Sequence, residues 1–354
     1  MSAGLRVLLD CTFAQRGHSG TATYLGGLSA ALSQAGVEVV EAVNAQRAPP
    51  AGGGLGSAAN LLADRWWTEV ELPRRARRER VDVLHHPLPD LSLTAPCPQV
   101  VTVHDLAFVA RPDLFARGFA TYAGRAHRRA VRHAQAVLCV SQATRTEVLR
   151  RWGPAPERVL VAHHGVSGLA APPSPPPGGA CPPSRPYFLY VGDDEPRKGL
   201  AALVEAYARY RALATASGQV PLDLLLAGSA RASGSGIVDA GAPDSDALAR
   251  LYAGAGALVH PAVTEGFGLT PLEAMAAGAP VLAVAAAAVV EVCGPAARYV
   301  VPGDREALAA GMLELAGDPA ERARLRVEGR VRARAFSWAS SARVHVAAYT
   351  LALG

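Results

Sequence analysis

Cysteine is scarce in this sequence and has no pattern. Cys11, Cys97, Cys139, Cys181 and Cys293 are odd in number and far apart, and no C-x-x-C occurs. A disulfide framework or a thiolate zinc site is therefore excluded as an organising principle, a reducing compartment is expected, and most of the five read as small core hydrophobes. Charge is also sparse: 18% of the 354 residues are charged against 50% apolar, which excludes global disorder and leaves enough apolar side chain for a large core. Long hydrophobic runs are missing. The uncharged stretch Met275–Val290 covers about sixteen residues and is broken by Gly278 and Pro280, where a spanning helix needs about twenty. The run Val7–Leu9 is too short for a signal peptide, so a cytoplasmic protein, at most peripheral to a membrane, is expected. Aromatics are only 6% and do not interleave with the arginines, which argues against nucleic acid as a partner. Neither candidate nucleotide-binding turn reads G-x-G-x-x-G, which argues against a dinucleotide oxidoreductase. No Asp-x-Asp stands at a strand end, and the adjacent pair His163-His164 has no third ligand nearby, so no metal site is assigned.

What is present concentrates between Val259 and Ala283, VHPAVTEGFGLTPLEAMAAGAPVLA. An apolar strand end, a Gly-rich loop at Glu265-Gly266-Phe267-Gly268-Leu269 and a helix beginning near Thr270 follow one another. This order offers free backbone N–H groups and a positive dipole end to an anion. The pattern predicts Thr270 as the N-cap, Pro271 at the first helical position, Glu273 as a capping-box partner, and a stop at Gly278 and Pro280. A second cationic turn follows the apolar run Tyr187–Val191, at Gly192-Asp193-Asp194-Glu195-Pro196-Arg197-Lys198-Gly199. Arg and Lys at a strand-to-helix turn suit a diphosphate, although a salt bridge among Asp194, Glu195 and Arg197 would use the same residues.

The run EGFGLTPLEAMAAG resembles the E-x7-E signature of the retaining, nucleotide-sugar-dependent glycosyltransferases of the GT-B fold, family 4. The resemblance implies an α/β protein with two Rossmann-like domains facing a central cleft. It places Glu265 on hydroxyls of the donor sugar, the backbone of Gly266, Phe267, Gly268, Leu269 and Thr270 on the sugar and β-phosphate, and Glu273 on the ribose. It also places Lys198 and, less directly, Arg197 on the diphosphate; many members carry the Arg immediately after the Gly, where this chain has Asp193. Gly20 and its neighbour Thr21, after the first strand Leu5–Asp10, match the loop that reaches the donor phosphates. His104, in the His-Asp-Leu run ending strand Val100–Val103, matches the family's histidine near the reacting centre, and Asp105 could orient it or cap the next turn. The His-Asp-Leu pattern favours GDP-mannose as donor, with UDP-glucose second and a non-catalytic accessory subunit as the alternative of another class. The implied reaction is a hexosyl transfer to a saccharide or glycolipid acceptor with retention. It needs no cofactor and no metal, and takes its catalytic groups from His104, Glu265, Lys198 and Arg197.

The same comparison organises the chain. An acceptor-side domain is expected over residues 1–169, completed by a helix over 336–354. A linker over 170–186 holds eight prolines. A donor-binding domain is expected over 187–335. Ala48–Ser57 reads as a surface loop and Arg231–Gly241 as a mobile one. Two basic clusters, Arg74–Arg80 and Arg125–His133, read as solvated helix faces or as a contact to anionic lipid, in keeping with a net charge of +5.

Overall fold

The computed structural model describes residues 4–16, 19–46, 55–166 and 185–354. Of the sequence readings above, Cys181, the stretch 48–54 and the Pro-rich stretch up to Ser184 lie outside it. Two compact units divide the chain: Met1–Gly165 together with Ser337–Gly354, and Val166–Phe336.

The first unit is built on β1 (Arg6–Asp10), β2 (Glu38–Ala42), β3 (Val83–His86), β4 (Gln99–Val103), β5 (Ala136–Cys139) and β6 (Val159–Val161). They form one parallel sheet in the order β2-β1-β3-β4-β5-β6. Its helices are α1 (Gly20–Gln34), α2 (Leu55–Trp66), α3 (Leu72–Arg78), the single turn α4 (Ala107–Ala110), α5 (Arg117–His133) and α6 (Gln142–Trp152). Helices cover both faces, so the strands are apolar on both. Val7 and Leu9 point into a core shared with Tyr24, Leu28 and Val100, while Leu8 points the other way, toward Trp67, Leu72 and Leu84. Side chains alternating along one strand thus serve two cores.

The second unit repeats the plan with β7 (Tyr187–Val191), β8 (Asp223–Ala227), β9 (Ile237–Asp239), β10 (Ala257–His260), β11 (Val281–Val284) and β12 (Arg298–Val300). The order is β12-β11-β10-β7-β8-β9, again parallel, with the strand sequence of a Rossmann fold. Its helices are α7 (Leu200–Ala216), α8 (Ser245–Gly254), α9 (Leu269–Ala277), α10 (Ala287–Cys293), α11 (Arg305–Gly317) and α12 (Pro319–Ala333). Phe188, Leu224, Val259 and Leu282 of the sheet pack with Leu203, Tyr210, Met312 and Leu315 of the helices over it. Strand β9 falls inside the stretch expected to be mobile. It is a three-residue edge strand with one apolar residue half-buried, too short to leave an apolar pattern in the sequence.

Helix α13 (Trp338–Leu353) returns to the first unit, with Ser337 capping it by accepting from Ser340 N. Its Trp338 ring lies so close to α1 that a Cβ on Gly27 would fall inside the indole. Among the described residues no helix is long and apolar enough to cross a membrane.

Candidate functional site

In the second unit the chain leaves β7 for β8 on one side and leaves β10 for β11 on the other. Parallel sheets open a crevice at the carboxyl ends of two such strands, where following loops diverge. Lys198 stands in the loop after β7 and Glu265 in the loop after β10, and they meet: Lys198 Nζ donates to Glu265 Oε2 at 3.0 Å. Gly199 makes the approach sterically feasible. Its φ is +75°, and a Cβ there would lie 2.6 Å from the carbonyl oxygen of Pro261 in the opposite loop. Burial alone would raise the Glu265 carboxyl, but the Lys198 ammonium beside it outweighs this and holds it at about 2. Glu265 is thus an anion with one oxygen engaged. Arg197 is held by Glu195, Nε to Oε2 at 2.6 Å, the local salt bridge that the sequence left open as an alternative.

A third residue joins this pair that the sequence reading assigned no role. His260 ends β10, is 5% exposed, and places Nε2 3.7 Å from Glu265 Oε2, without a hydrogen-bond partner of its own. Burial pushes it down to about 4, so it is neutral at pH 7. It lies within the stretch the sequence singled out, but a single His after an apolar run carries no signal of its own.

The loop then passes buried Gly266, Phe267 and Gly268 into α9. Phe267 is anchored edge-on against Phe336, with ring centroids 5.9 Å apart. The expected helix start needs correction. Gly268, at φ +96°, is the N-cap, Leu269 the first helical residue, and Thr270 already lies within the first turn without capping anything. Pro271 therefore stands third in the helix. Its missing N–H is still one of the four without an intrahelical acceptor, so the proline costs nothing there. Glu273 makes no capping box: its carboxylate Oε2 accepts from Tyr252 Oη on α8 at 3.1 Å. Burial raises this carboxyl to about 7, the tyrosine hydrogen bond only partly opposing it. The helix ends at Gly278 in the left-handed region, as the sequence suggests. The first N–H groups of α9, free of any side-chain cap, and a positive dipole end are left above the Lys198–Glu265 pair's own loop.

The first unit holds the remaining candidates. Gly20 opens α1 behind its N-cap Ser19, with Thr21 next. No positive φ and no close neighbour require a glycine at position 20. His104 follows β4 and its Nε2–H donates to the Pro87 carbonyl at 2.9 Å, which leaves Nδ1 as an acceptor. Burial lowers it to about 4. Asp105 Oδ1 accepts from Ala107 N and so caps the following turn.

Beneath His104 lies a buried polar chain invisible to sequence reasoning. The ring of Tyr24 stands edge-on to His104 at 4.9 Å, and His164 packs on both. The direction of the hydrogen bonds follows from its far end, because the Ser341 carbonyl can only accept. His345 Nδ1–H donates to it at 2.8 Å, so His345 Nε2 must accept from Tyr24 Oη at 3.0 Å. Tyr24 then accepts from Thr102 Oγ1 at 3.0 Å, and Thr102 from His85 Nε2–H at 2.9 Å. His85 Nδ1 finally accepts from Tyr349 Oη at 2.8 Å. Every member is buried and neutral, and burial lowers both histidines, His345 to about 4. The partners come from α1, β3, β4 and α13, and the two that α13 supplies lie more than 260 positions from the residues they bond, which no spacing rule could bring together.

Among the described residues no group of His, Cys, Asp and Glu has the arrangement of a metal site. Of the basic clusters, Arg75 and Arg77 are spent on backbone carbonyls and Arg129 on Glu69, while Arg125 and Arg128 border a groove of about 470 Å³ with Phe108 and Trp152.

Two family models match the chain in succession: Glycosyltransferase Family 4 over residues 18–167, and Glycosyl transferases group 1 over residues 179–332. O-antigen chain mannosyltransferase B of Escherichia coli is 29% identical over 301 residues, covering 79% of this chain and 78% of its own. The MMP alpha-(1->4)-mannosyltransferase of Mycolicibacterium hassiacum is 34% identical over 239 residues, 64% of this chain and 56% of its own. Among solved structures, sucrose-phosphate synthase from Thermosynechococcus elongatus superposes with a TM-score of 0.73 at 20% identity, covering 98% of each chain.

Proposed function

Because the chain belongs to the family 4 glycosyltransferases of the GT-B fold, we propose that it moves mannose from GDP-mannose to a saccharide or glycolipid acceptor with retention at the anomeric carbon. The observation that carries this reading is the Lys198–Glu265 pair at the strand-order reversal of the second unit, beside the uncapped start of α9. A nucleotide sugar needs both signs of charge there. Its diphosphate takes cations and helix N–H groups, and its hexose hydroxyls donate to a carboxylate that stays ionised. With Oε2 held by Lys198, Glu265 presents Oε1 to those hydroxyls. The N–H groups of Leu269 and Thr270, Lys198 and Arg197 meet the diphosphate, and Glu273 meets the ribose. The two relatives named as mannosyltransferases favour mannose.

Neither glutamate serves as a nucleophile in this mechanism. Departure of the diphosphate puts negative charge where Lys198 and the helix start already supply positive potential, and the departing phosphate oxygen receives the acceptor hydroxyl's proton on the same face. The family resemblance, rather than the geometry, is what assigns His104 to the transferring sugar and Gly20 with Thr21 to the phosphates. Divalent metal is not required, since lysine, arginine and backbone dipoles meet the diphosphate charge.

A thermal-shift and donor-hydrolysis screen over nucleotide sugars tests the reading. GDP-mannose is expected to raise the melting temperature of the wild type and to be hydrolysed slowly, in the presence of EDTA as in its absence. A larger response to UDP-glucose would change the donor but not the class. Absence of any response to nucleotide sugars, or a response only with Mg²⁺ or Mn²⁺, would overturn the corresponding part of the proposal.

A further inference from the structure

Glu273 is the ionisable group of α9, half-buried, and its hydrogen-bond partner is a neutral one. The Tyr252 hydroxyl reaches its Oε2 from α8 at 3.1 Å. Tyr252 is fully buried, so this hydroxyl cannot turn to water, and its ring is fixed by the packing of α8 against α9. Among the described residues no cation acts on Glu273: of the arginines on the helices packed against α9, Arg326 and Arg332 are spent on carbonyl oxygens of residues 253, 255, 278, 291 and 292, Arg330 lies against Gly278, and Arg250 on α8 keeps its Nε buried. Glu265, eight positions earlier, has Lys198; Glu273 has a phenol.

We propose that Tyr252 is a positioning residue for donor binding: it fixes one oxygen of Glu273, aims the other at the ribose hydroxyls, and makes the grip on the nucleoside dependent on the ionisation of Glu273. This deepens the donor-site reading above and rests on it. An ionised carboxylate accepts hydroxyl hydrogen bonds about twice as strongly as a neutral carboxylic acid does. Burial without a counter-charge puts the proton of Glu273 within reach of ordinary pH, at about 7 in the free protein. Ribose then competes with that proton, so affinity rises as pH rises through and just below this value. Tyr252 is the group that lowers it, so loss of the phenol hydroxyl moves the rise to higher pH.

Calorimetric titration of the full chain with GDP-mannose and with UDP-glucose from pH 5.5 to 8.5 tests this. Nucleotide sugars are suitable probes because a diphosphate diester does not titrate in this range, whereas a free nucleoside diphosphate does. The wild type is expected to gain about five- to tenfold in affinity across the range. Tyr252→Phe, which keeps the ring, is expected to shift the rise upward by about one pH unit, and Glu273→Gln to abolish it. A melting curve at each pH confirms that the variants are folded. A tyrosine that serves packing alone would leave the pH profile where it was, and that result would overturn the inference, as would a flat wild-type profile. If Tyr252→Phe failed to fold, a pH dependence retained in Glu273→Gln would still overturn it. Absence of nucleotide-sugar binding at every pH would overturn the donor-site reading itself.

Discussion

Lys198 neutralises Glu265 across 3.0 Å from a loop 67 positions away in sequence, joining the ends of two neighbouring strands at the point where the sheet's order reverses. The pair is largely withdrawn from water, with side chains 21% and 14% exposed. Removing one partner therefore leaves the other uncompensated, and in the proposed function each has a separate task toward a nucleotide sugar.

Lys198→Ala should weaken nucleoside diphosphate and nucleotide-sugar binding by about 1.5–3 kcal/mol, measured by calorimetry. It should also change the acid limb of stability. A carboxyl held at about 2 stabilises the fold above its unfolded value of 4.5, and that contribution disappears as pH falls toward 2. Without the lysine, Glu265 titrates higher and the contribution is already missing at pH 7. Unchanged diphosphate affinity in a folded variant would remove Lys198 from the site.

Glu265→Gln should separate sugar from diphosphate. Free nucleoside diphosphate should bind nearly as in the wild type, while transfer falls by a factor of ~10² or more, since the lost contact belongs to the hexose. Parallel loss of diphosphate affinity and rate would assign Glu265 to the phosphates instead.

Glu273→Gln should stabilise the unligated protein above pH 7, by on the order of 1–2 kcal/mol. The sign follows from the raised carboxyl. The unfolded chain releases this proton near 4.5 and the folded chain near 7, so stability is lost between those values as pH rises, and a neutral amide avoids the loss. A capping box would have given the opposite sign. Thermal melts at pH 5 and pH 8 decide between them.

The buried histidines of the first unit make it acid-sensitive. His85, His104, His164 and His345 all sit below their unfolded value because burial disfavours their charged form. The unfolded chain binds these protons first, so stability is full above about 6.5 and declines as pH falls toward 4. The melting temperature should drop by on the order of 5–10 °C between pH 7.5 and 5. A flat profile over that interval would contradict a neutral cluster.

Gly27→Ala tests packing. The added methyl would enter the Trp338 ring, which is itself 7% exposed and fixed by its place in α13. Overpacking of about 1–3 kcal/mol is expected, read as a lower midpoint in urea. Gly26→Ala, whose methyl meets nothing, serves as the reference.

The sequence carried the fold because its cues are local. Short apolar runs such as Leu5–Asp10 and Tyr187–Val191, buried on both faces, are what a parallel sheet demands, and side-chain caps at Asp244, Asp304 and Ser337 announce their helices. It misplaced the start of α9 because Thr-Pro is a strong helix-start signature, while a left-handed glycine can begin the helix sooner. Tyr252, His260 and the chain from Tyr349 to Ser341 left no trace. Each depends on which elements pack together, and a lone tyrosine or histidine on an apolar face looks the same whether it fills space or holds a proton.

The return of α13 to the first unit has a consequence for how the chain is made. When residues 1–336 have been synthesised, everything that the second unit contains is present, yet the first unit still lacks the helix that supplies Trp338, His345 and Tyr349 to its interior. Until those residues arrive, the α1 surface around Gly27 and Leu28 has no cover, and Tyr24 and His85 have two of their hydrogen-bond partners missing. The half begun first on the ribosome is thus completed last. A chain halted before Ser337 would carry a finished second unit and an incomplete first one with apolar surface exposed, a natural substrate for chaperones and proteases.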